Sequence, residues 1–154
     1  MSLRPRRFHL AIDPPIDVDV DSRRVRFVGL NLINRVVMVE YDVDPPMNVE
    51  LFGPHLLILE VRDDVSDEPY ETFWHDFLWG RPGASFPLGR MTTRLQRRPP
   101  AEATRLDFVV RPAEPPDADG RRPWTSKLPP AGRFSVALPP DHGKPWPGPD
   151  AWAD

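Results

Sequence analysis

Prolines constrain the fold of this chain more than any other sequence feature. The chain has 22 prolines among 154 residues, roughly three times the usual share of ~5 per cent. Most stand in doublets or in one short cluster, at positions 14–15, 45–46, 99–100, 115–116, 129–130, 139–140 and 145–149. Proline lacks an N–H, and its ring clashes with the preceding helical turn. This spacing excludes long helices and divides the chain into short segments.

The segments between the prolines alternate between apolar and polar residues, which is typical of half-buried β-strands. The longest, residues 24–44, predicts two adjacent strands, with residues 31–34 as their turn and with Pro45 and Pro46 ending the second strand. One face of the second strand carries Val37, Val39, Tyr41 and Val43. Further strands are predicted at 7–12, 16–21, 56–61, 70–79, 90–98, 105–111 and 134–138.

Two of these segments and one turn predict particular surroundings. Residues 56–61 are apolar on both faces, which predicts an interior strand covered on both sides, or one face packed on a partner. Three aspartates alternate with apolar residues in 16–21. We expect them to be solvated and to protect an edge strand, because a strand splays its carboxylates too far apart for calcium. The adjacent Asp63 and Asp64 are expected in a solvated turn.

Seven to eight short strands with long Pro-rich loops predict an all-β fold, an antiparallel β-sandwich. The order of features resembles an immunoglobulin-like sandwich: a strand pair ending in YDVDPP, the apolar LLILEV, an acidic turn before Tyr70, an aromatic strand, then ATRLDFVV and RFSVAL. The Cys…Trp…Cys core of antibody domains is missing. A jelly roll is the alternative. We expect one domain over residues 1–138, with an N-terminal arm at 1–15, and a Pro- and Trp-rich tail at 139–154.

Composition limits the location and the chemistry. The chain has no cysteine, which excludes disulfides, thiolate metal sites and a cysteine nucleophile. Residues 1–10 are basic without a following apolar stretch, and no run of 18 apolar residues occurs, so we expect no signal peptide and no membrane insertion. These features favour a cytoplasmic protein. The net charge of −3 gives the chain no general electrostatic attraction to nucleic acid.

The sequence carries no motif of a known catalytic or cofactor site. The four histidines do not have the spacing of a zinc site, and phosphate-binding, dinucleotide and nucleophile motifs are missing. We therefore expect no metal and no cofactor, and favour a binding module over an enzyme.

Aromatic and basic residues provide the candidate binding sites. The segment 70–79 and the tail are rich in tryptophan, which is enriched at interface hot spots. The strand at 90–98 has a basic outer face, and 18 of the 20 basic residues of the chain are arginines; a GC-rich bacterial genome or recognition of carboxylate and phosphate would each explain this. The predicted partner-binding residues are Trp74, Trp79, Trp124, Trp146, Trp152, Arg90, Arg94, Arg97 and Arg98.

These observations predict a non-catalytic protein–protein interaction or assembly module. It would bind a protein partner or a second copy through an aromatic sandwich face, an edge strand or its Pro-rich arms. One alternative is a carbohydrate- or small-ligand-binding sandwich, with tryptophans as a stacking platform. Another is a small enzyme, or a nucleic-acid-associated protein that uses the arginines.

Overall fold

The computed structural model describes residues 8–33, 35–48, 56–77, 87–120 and 123–143, with the backbone alone for 47–48, 73–77 and 87–89. In these residues the chain forms eight strands and no helix. The strands are β1 (Phe8–Val20), β2 (Arg23–Ile33), β3 (Val36–Asn48), β4 (Leu57–Asp63), β5 (Thr72–Phe77), β6 (Pro87–Leu95), β7 (Arg105–Pro112) and β8 (Gly132–Ala137).

Within the described residues the strands form two antiparallel sheets. One has the order β1-β2-β3-β6-β5 and the other has the order β4-β7-β8. The sheets pack face to face around one apolar core. The predicted all-β antiparallel sandwich is therefore confirmed, and the strand order is compatible with an immunoglobulin-like arrangement.

The apolar face of the central strands points into this core. The four alternating residues of β3, from Val37 to Val43, are at most 2% exposed, as predicted. In β2 the register with β3 shifts between Phe27 and Gly29. This bulge changes the inward positions from odd to even residue numbers, so that Leu30 is buried as Phe27 is. A strand without the bulge would turn one of these two residues to solvent.

Proline doublets lie inside two strands. Pro14 and Pro15 belong to β1, and Pro45 and Pro46 belong to β3, which continues to Asn48. The prediction that the second doublet ends its strand is therefore wrong. Pairing becomes irregular at both doublets, which removes the need for the N–H groups that proline lacks. Residues 8–15 of the expected N-terminal arm are accordingly part of β1.

An aromatic cluster joins the two sheets across the core. Phe108 of β7 and Phe134 of β8 are stacked, with ring centroids 4.7 Å apart and planes at 6°. Phe27 of β2 lies 4.7 Å from Phe134 and 5.4 Å from Tyr41 of β3. Side chains of both sheets thus meet in one group of rings.

The apolar strand β4 lies at the edge of its sheet, where it pairs with β7. Leu57, Ile58 and Leu59 are all at most 4% exposed, so both faces are covered as predicted, but the predicted interior position is wrong. The other edge of β4 meets Tyr70, whose N–H donates to the carbonyl oxygen of Val61 at 2.9 Å. This link connects β4 to the segment that leads into β5.

Replacing Phe108 with alanine tests the aromatic cluster. Phe108 is 1% exposed, and its removal leaves a cavity beside Phe134. We expect the free energy of unfolding to fall by about 3–5 kcal/mol, measured by urea denaturation. The control Val65→Ala removes a side chain from a 48% exposed residue and should change stability by less than about 0.5 kcal/mol. Equal effects of the two substitutions would contradict the assigned core.

Candidate partner-binding surface

A row of alternating charges crosses the outer face of the five-stranded sheet. Asp17, Arg26, Asp42 and Arg90 occupy successive strands at paired positions. Arg26 donates to both carboxylate oxygens of Asp17, at 2.8 and 3.2 Å, and these hydrogen bonds lower the pKa of Asp17. Arg90 donates through Nε and Nη2 to Asp42. Asp17 is exposed, as expected, and is in addition paired with Arg26.

Further polar contacts extend from this row towards β1. Glu40 accepts a hydrogen bond from the Asn31 amide, and its Oε2 lies 3.7 Å from Nη1 of Arg90. Nδ1 of His9 lies 2.6 Å from Oδ1 of Asn31. A second row, Asp19, Arg24 and Asp44, crosses β1, β2 and β3 beside the first. Opposite charges on this face thus lie next to one another.

The four arginines predicted from the basic strand do not form one patch. Arg90 and Arg94 both belong to β6, where Arg90 pairs with Asp42 and the half-buried Arg94 lies opposite Met38. Arg97 and Arg98 follow the end of β6 and contact other parts of the domain.

Arg97 belongs to a cluster around the buried carboxylate of Asp63. The carboxylate accepts hydrogen bonds from the backbone N–H of Val65 at 2.8 Å, from the N–H and hydroxyl of Ser66 at 2.5 and 2.6 Å, and from the Tyr70 hydroxyl at 2.6 Å. Nη1 of Arg97 lies 3.6 Å from Oδ2 of Asp63, and Cζ of Arg97 lies 3.8 Å from the centroid of the Tyr70 ring.

These contacts determine the ionisation of Asp63. Burial by itself raises the pKa of Asp63, but the hydrogen bonds from Ser66, Tyr70 and Val65 together outweigh it and hold the pKa well below its usual range. Burial, together with the hydrogen bond to Asp63, raises the pKa of Tyr70, so its hydroxyl remains a donor. Asp63 is 7% exposed, and the expectation of a solvated residue is wrong. Its neighbour Asp64 accepts hydrogen bonds from Thr104 instead.

Arg98 holds the first residues of the predicted tail against the domain. Its Nη2 donates to the carbonyl oxygen of His142 at 2.6 Å, and burial lowers the pKa of Arg98. The His142 side chain is fully buried, with Nε2 at 2.8 Å from the carbonyl oxygen of Ala103. Residues 139–143 therefore pack on the sandwich.

The five predicted tryptophans are only partly covered by the structure. Trp124 is half-buried in the long connection between β7 and β8. Trp74 lies in β5, where the backbone alone is described. Trp79, Trp146 and Trp152 lie outside the described residues, so their role stays a prediction.

The outer face of the three-stranded sheet is a second charged surface, which sequence reasoning missed. Its residues alternate with the buried residues of β4, β7 and β8. The charged members are Glu60, Arg62, Arg105, Asp107, Arg111 and Arg133. The sequence shows these residues, but only the strand order places them on one face.

Hydrogen bonds show which way the backbone of β8 faces. The N–H of Leu138 donates to the carbonyl oxygen of Thr104 at 2.8 Å, in the same register as the ladder from Arg105↔Ala137 to Val110↔Gly132. In an antiparallel ladder, alternate residues direct their N–H and C=O to the same neighbour. Phe134 and Val136 therefore bond to β7, whereas Arg133, Ser135 and Ala137 direct their backbone groups outwards. No strand among the described residues pairs with this edge.

The described residues contain neither a metal-binding cluster nor a membrane-spanning helix. No group of three or more His, Cys, Asp or Glu side chains in this part of the chain is arranged to hold a metal ion. No helix there is long and apolar enough to cross a membrane.

Comparisons with known proteins support the fold. No protein-family model matches the chain, and no curated protein matches it. A solved structure described as the conserved domain protein from Bacillus anthracis is similar, with a TM-score of 0.50 and 10% identity. The match covers 86% of this chain and 49% of that one, so the chain spans about half the length of the solved structure. At this identity the likeness shows a shared fold alone.

Substitution of Asp63 by asparagine tests the buried carboxylate. An amide cannot accept all four hydrogen bonds, so we expect a loss of about 3 kcal/mol in the free energy of unfolding near neutral pH. The folded pKa lies below the unfolded value of about 3.9, so the contribution of the carboxylate is present above that value and is lost as the pH falls towards the folded pKa. The difference between wild type and Asp63→Asn should therefore shrink in acid.

The measurement is urea denaturation over a pH series. Asp67→Asn, at an exposed position of the same turn, is the control and should follow the wild-type curve. A difference between wild type and Asp63→Asn that stays constant down to acid pH would contradict the assigned role of the carboxylate.

Proposed function

We propose that this chain is a non-catalytic protein–protein interaction module that binds an extended segment of a protein partner as an added strand beside β8. The observation that carries the proposal is the outward direction of the backbone groups of Arg133, Ser135 and Ala137. An unpaired strand edge is a ready template for another chain, and main-chain hydrogen bonds supply the affinity in this mode of binding.

Two of the other three sheet edges, those of β1 and β4, are less suited to this role. β1 contains Pro14 and Pro15 and carries exposed aspartates, the features by which proteins prevent pairing at an edge. The edge of β4 is bridged by Tyr70. By contrast, β8 reads GRFSVA: it has no proline and no acidic residue, and Phe and Val favour strands.

A half-buried apolar strip lies on the same side of the sandwich. Leu10 and Ile16 of β1 and Phe134 of β8 pack against the core without being fully buried. Val18 of β1 comes close to Gly132, where an added Cβ would lie 3.0 Å from its methyl groups. An added strand would direct every second side chain towards this strip, and covering it would stabilise the complex.

The aromatic strand and the Pro-rich ends are further contact regions in this proposal. Their support is the tryptophan content of residues 70–79 and of the tail, since aromatic side chains are enriched at binding hot spots.

A proline at position 135 tests the strand-addition mode. Its outward N–H is not used by the ladder with β7, so Ser135→Pro should preserve the fold but block an added strand. The matched control Ser135→Ala retains the N–H. Both variants lose the 2.5 Å hydrogen bond from Ser135 to Asp107, which therefore cancels in the comparison.

The probe is a display library of segments of about eight residues, close to the length of an ordinary strand, with apolar and varied polar residues in alternation. We expect segments selected on the full chain to bind Ser135→Ala and to lose about tenfold or more in affinity for Ser135→Pro. Amide hydrogen exchange on the wild-type complex should show protection at Arg133, Ser135 and Ala137. Selection of no segment, or protection elsewhere on the domain, would contradict the proposal.

A further inference from the structure

The outer face of the three-stranded sheet is basic, whereas the chain as a whole is acidic. This face carries four arginines and two acidic residues, whereas the chain has a net charge of −3. The arginines are Arg62, Arg105, Arg111 and Arg133 and the acids are Glu60 and Asp107, which gives +4 − 2 = +2 for the face. The positive charge is therefore a local property of the three-stranded sheet.

The acidic residues neutralise the arginines unequally. Arg111 donates to Glu60 at 2.7 Å and also to the carbonyl oxygen of Leu128 at 2.8 Å, so it is held on the side of β4. Asp107 accepts from Nε of Arg105 at 3.2 and 3.3 Å and from the Ser135 hydroxyl. Arg133 is exposed and forms no ion pair with any described residue. Arg62 of β4 also forms no ion pair with a described residue and donates to the backbone carbonyl oxygen of Asp67 at 3.2 Å. The uncompensated charge of this face therefore lies on Arg133 of β8 and on Arg62 at the opposite edge of the sheet.

The neighbours of Arg133 leave a second arginine accessible from the edge. Arg105 is paired with Ala137 across the two strands, and its side chain is 54% exposed. Because the side chains of Ala137 and Ser135 are short, they do not block access to Arg105 from the edge of β8. A strand added beside β8 would place its outward side chains about 5 Å from those of Arg133, Ser135 and Ala137, within reach of both guanidinium groups.

We propose that the segment bound at β8 alternates apolar and acidic residues, with its carboxylates directed to Arg133 and Arg105 and its apolar residues directed to the strip formed by Leu10, Ile16 and Phe134. This inference rests on the proposed strand addition and adds the chemical class of the partner. Carboxylates match arginine in charge and in the geometry of paired hydrogen bonds. A lysine-bearing segment would meet like charge on the same face.

Three synthetic peptides test the charge preference on the full chain. Each repeats valine in alternation with a second residue over about eight positions; the second residue is aspartate, the isosteric asparagine or lysine. By fluorescence anisotropy at low salt we expect the aspartate peptide to bind about three- to tenfold more tightly than the asparagine peptide, and the lysine peptide to bind most weakly. The advantage of aspartate should fall towards onefold at about 0.5 M salt.

Arginine variants locate the effect. Arg133→Gln should reduce the ratio of aspartate to asparagine affinity, whereas Arg24→Gln, an exposed arginine on the other sheet, should leave it unchanged. A ratio near one for the wild type, or a ratio that Arg133→Gln does not change, would overturn the acidic preference.

The same peptides separate this inference from the proposed function. If the aspartate and asparagine peptides bind equally and both lose affinity for Ser135→Pro but not for Ser135→Ala, strand addition stands and the acidic preference is wrong. If no peptide protects the amides of Arg133, Ser135 and Ala137 from hydrogen exchange in the wild-type chain, both proposals are wrong.

Discussion

The contact of Phe134 with Phe27 and Phe108 is the interaction on which the rest of the sandwich depends. Phe27 belongs to the five-stranded sheet, and the other two rings belong to the three-stranded sheet. Each sheet has one apolar face, and neither face can leave water without the other. Phe134 belongs to β8, so its contacts with Phe27 and Phe108 fix the position of this strand and of the backbone groups that it directs outwards.

The carboxylate of Asp63 is buried at one end of this apolar core, and its hydrogen bonds fix the conformation of the turn that follows β4. Asp63 ends β4 and collects donors from the turn that follows it, while Arg97 reaches the same carboxylate from the end of β6. A buried carboxylate without these donors would cost several kcal/mol. The turn between β4 and β5 and the end of β6 must consequently adopt one arrangement together. The side of the sandwich at β1 and β8 shows no comparable cluster in the described residues.

The local pattern of the sequence was sufficient to predict the class of fold and most of the strands. Alternation in β3 and β7 is a property of neighbouring residues, so it can be read without knowledge of the partner strands. The bulge at Phe27–Gly29 and the prolines inside β1 and β3 depend on pairing with another strand, which the sequence does not display. Asp63 was expected in solvent because Tyr70 and Arg97, which accompany its burial, are seven and 34 positions away. The face around Arg133 was missed because its charges come from three separate segments that meet only in the folded sheet.

The alternating charges of Asp17, Arg26, Asp42 and Arg90 have a consequence for forces at a distance. Neighbouring strands are about 4.8 Å apart, which is less than the Debye length of about 8 Å under physiological conditions. Positive and negative potentials from such a row cancel before they reach an approaching molecule, so this face exerts little long-range attraction or repulsion. This row of charges acts on another charged molecule only at contact. A molecule of complementary charge pattern that is displaced by one strand spacing would meet like charges. The two faces of the sandwich therefore differ in electrostatic range: the positive charge of Arg133 on β8 has no ion-pair partner among the described residues and acts through solution, whereas the charges of this row act only at contact.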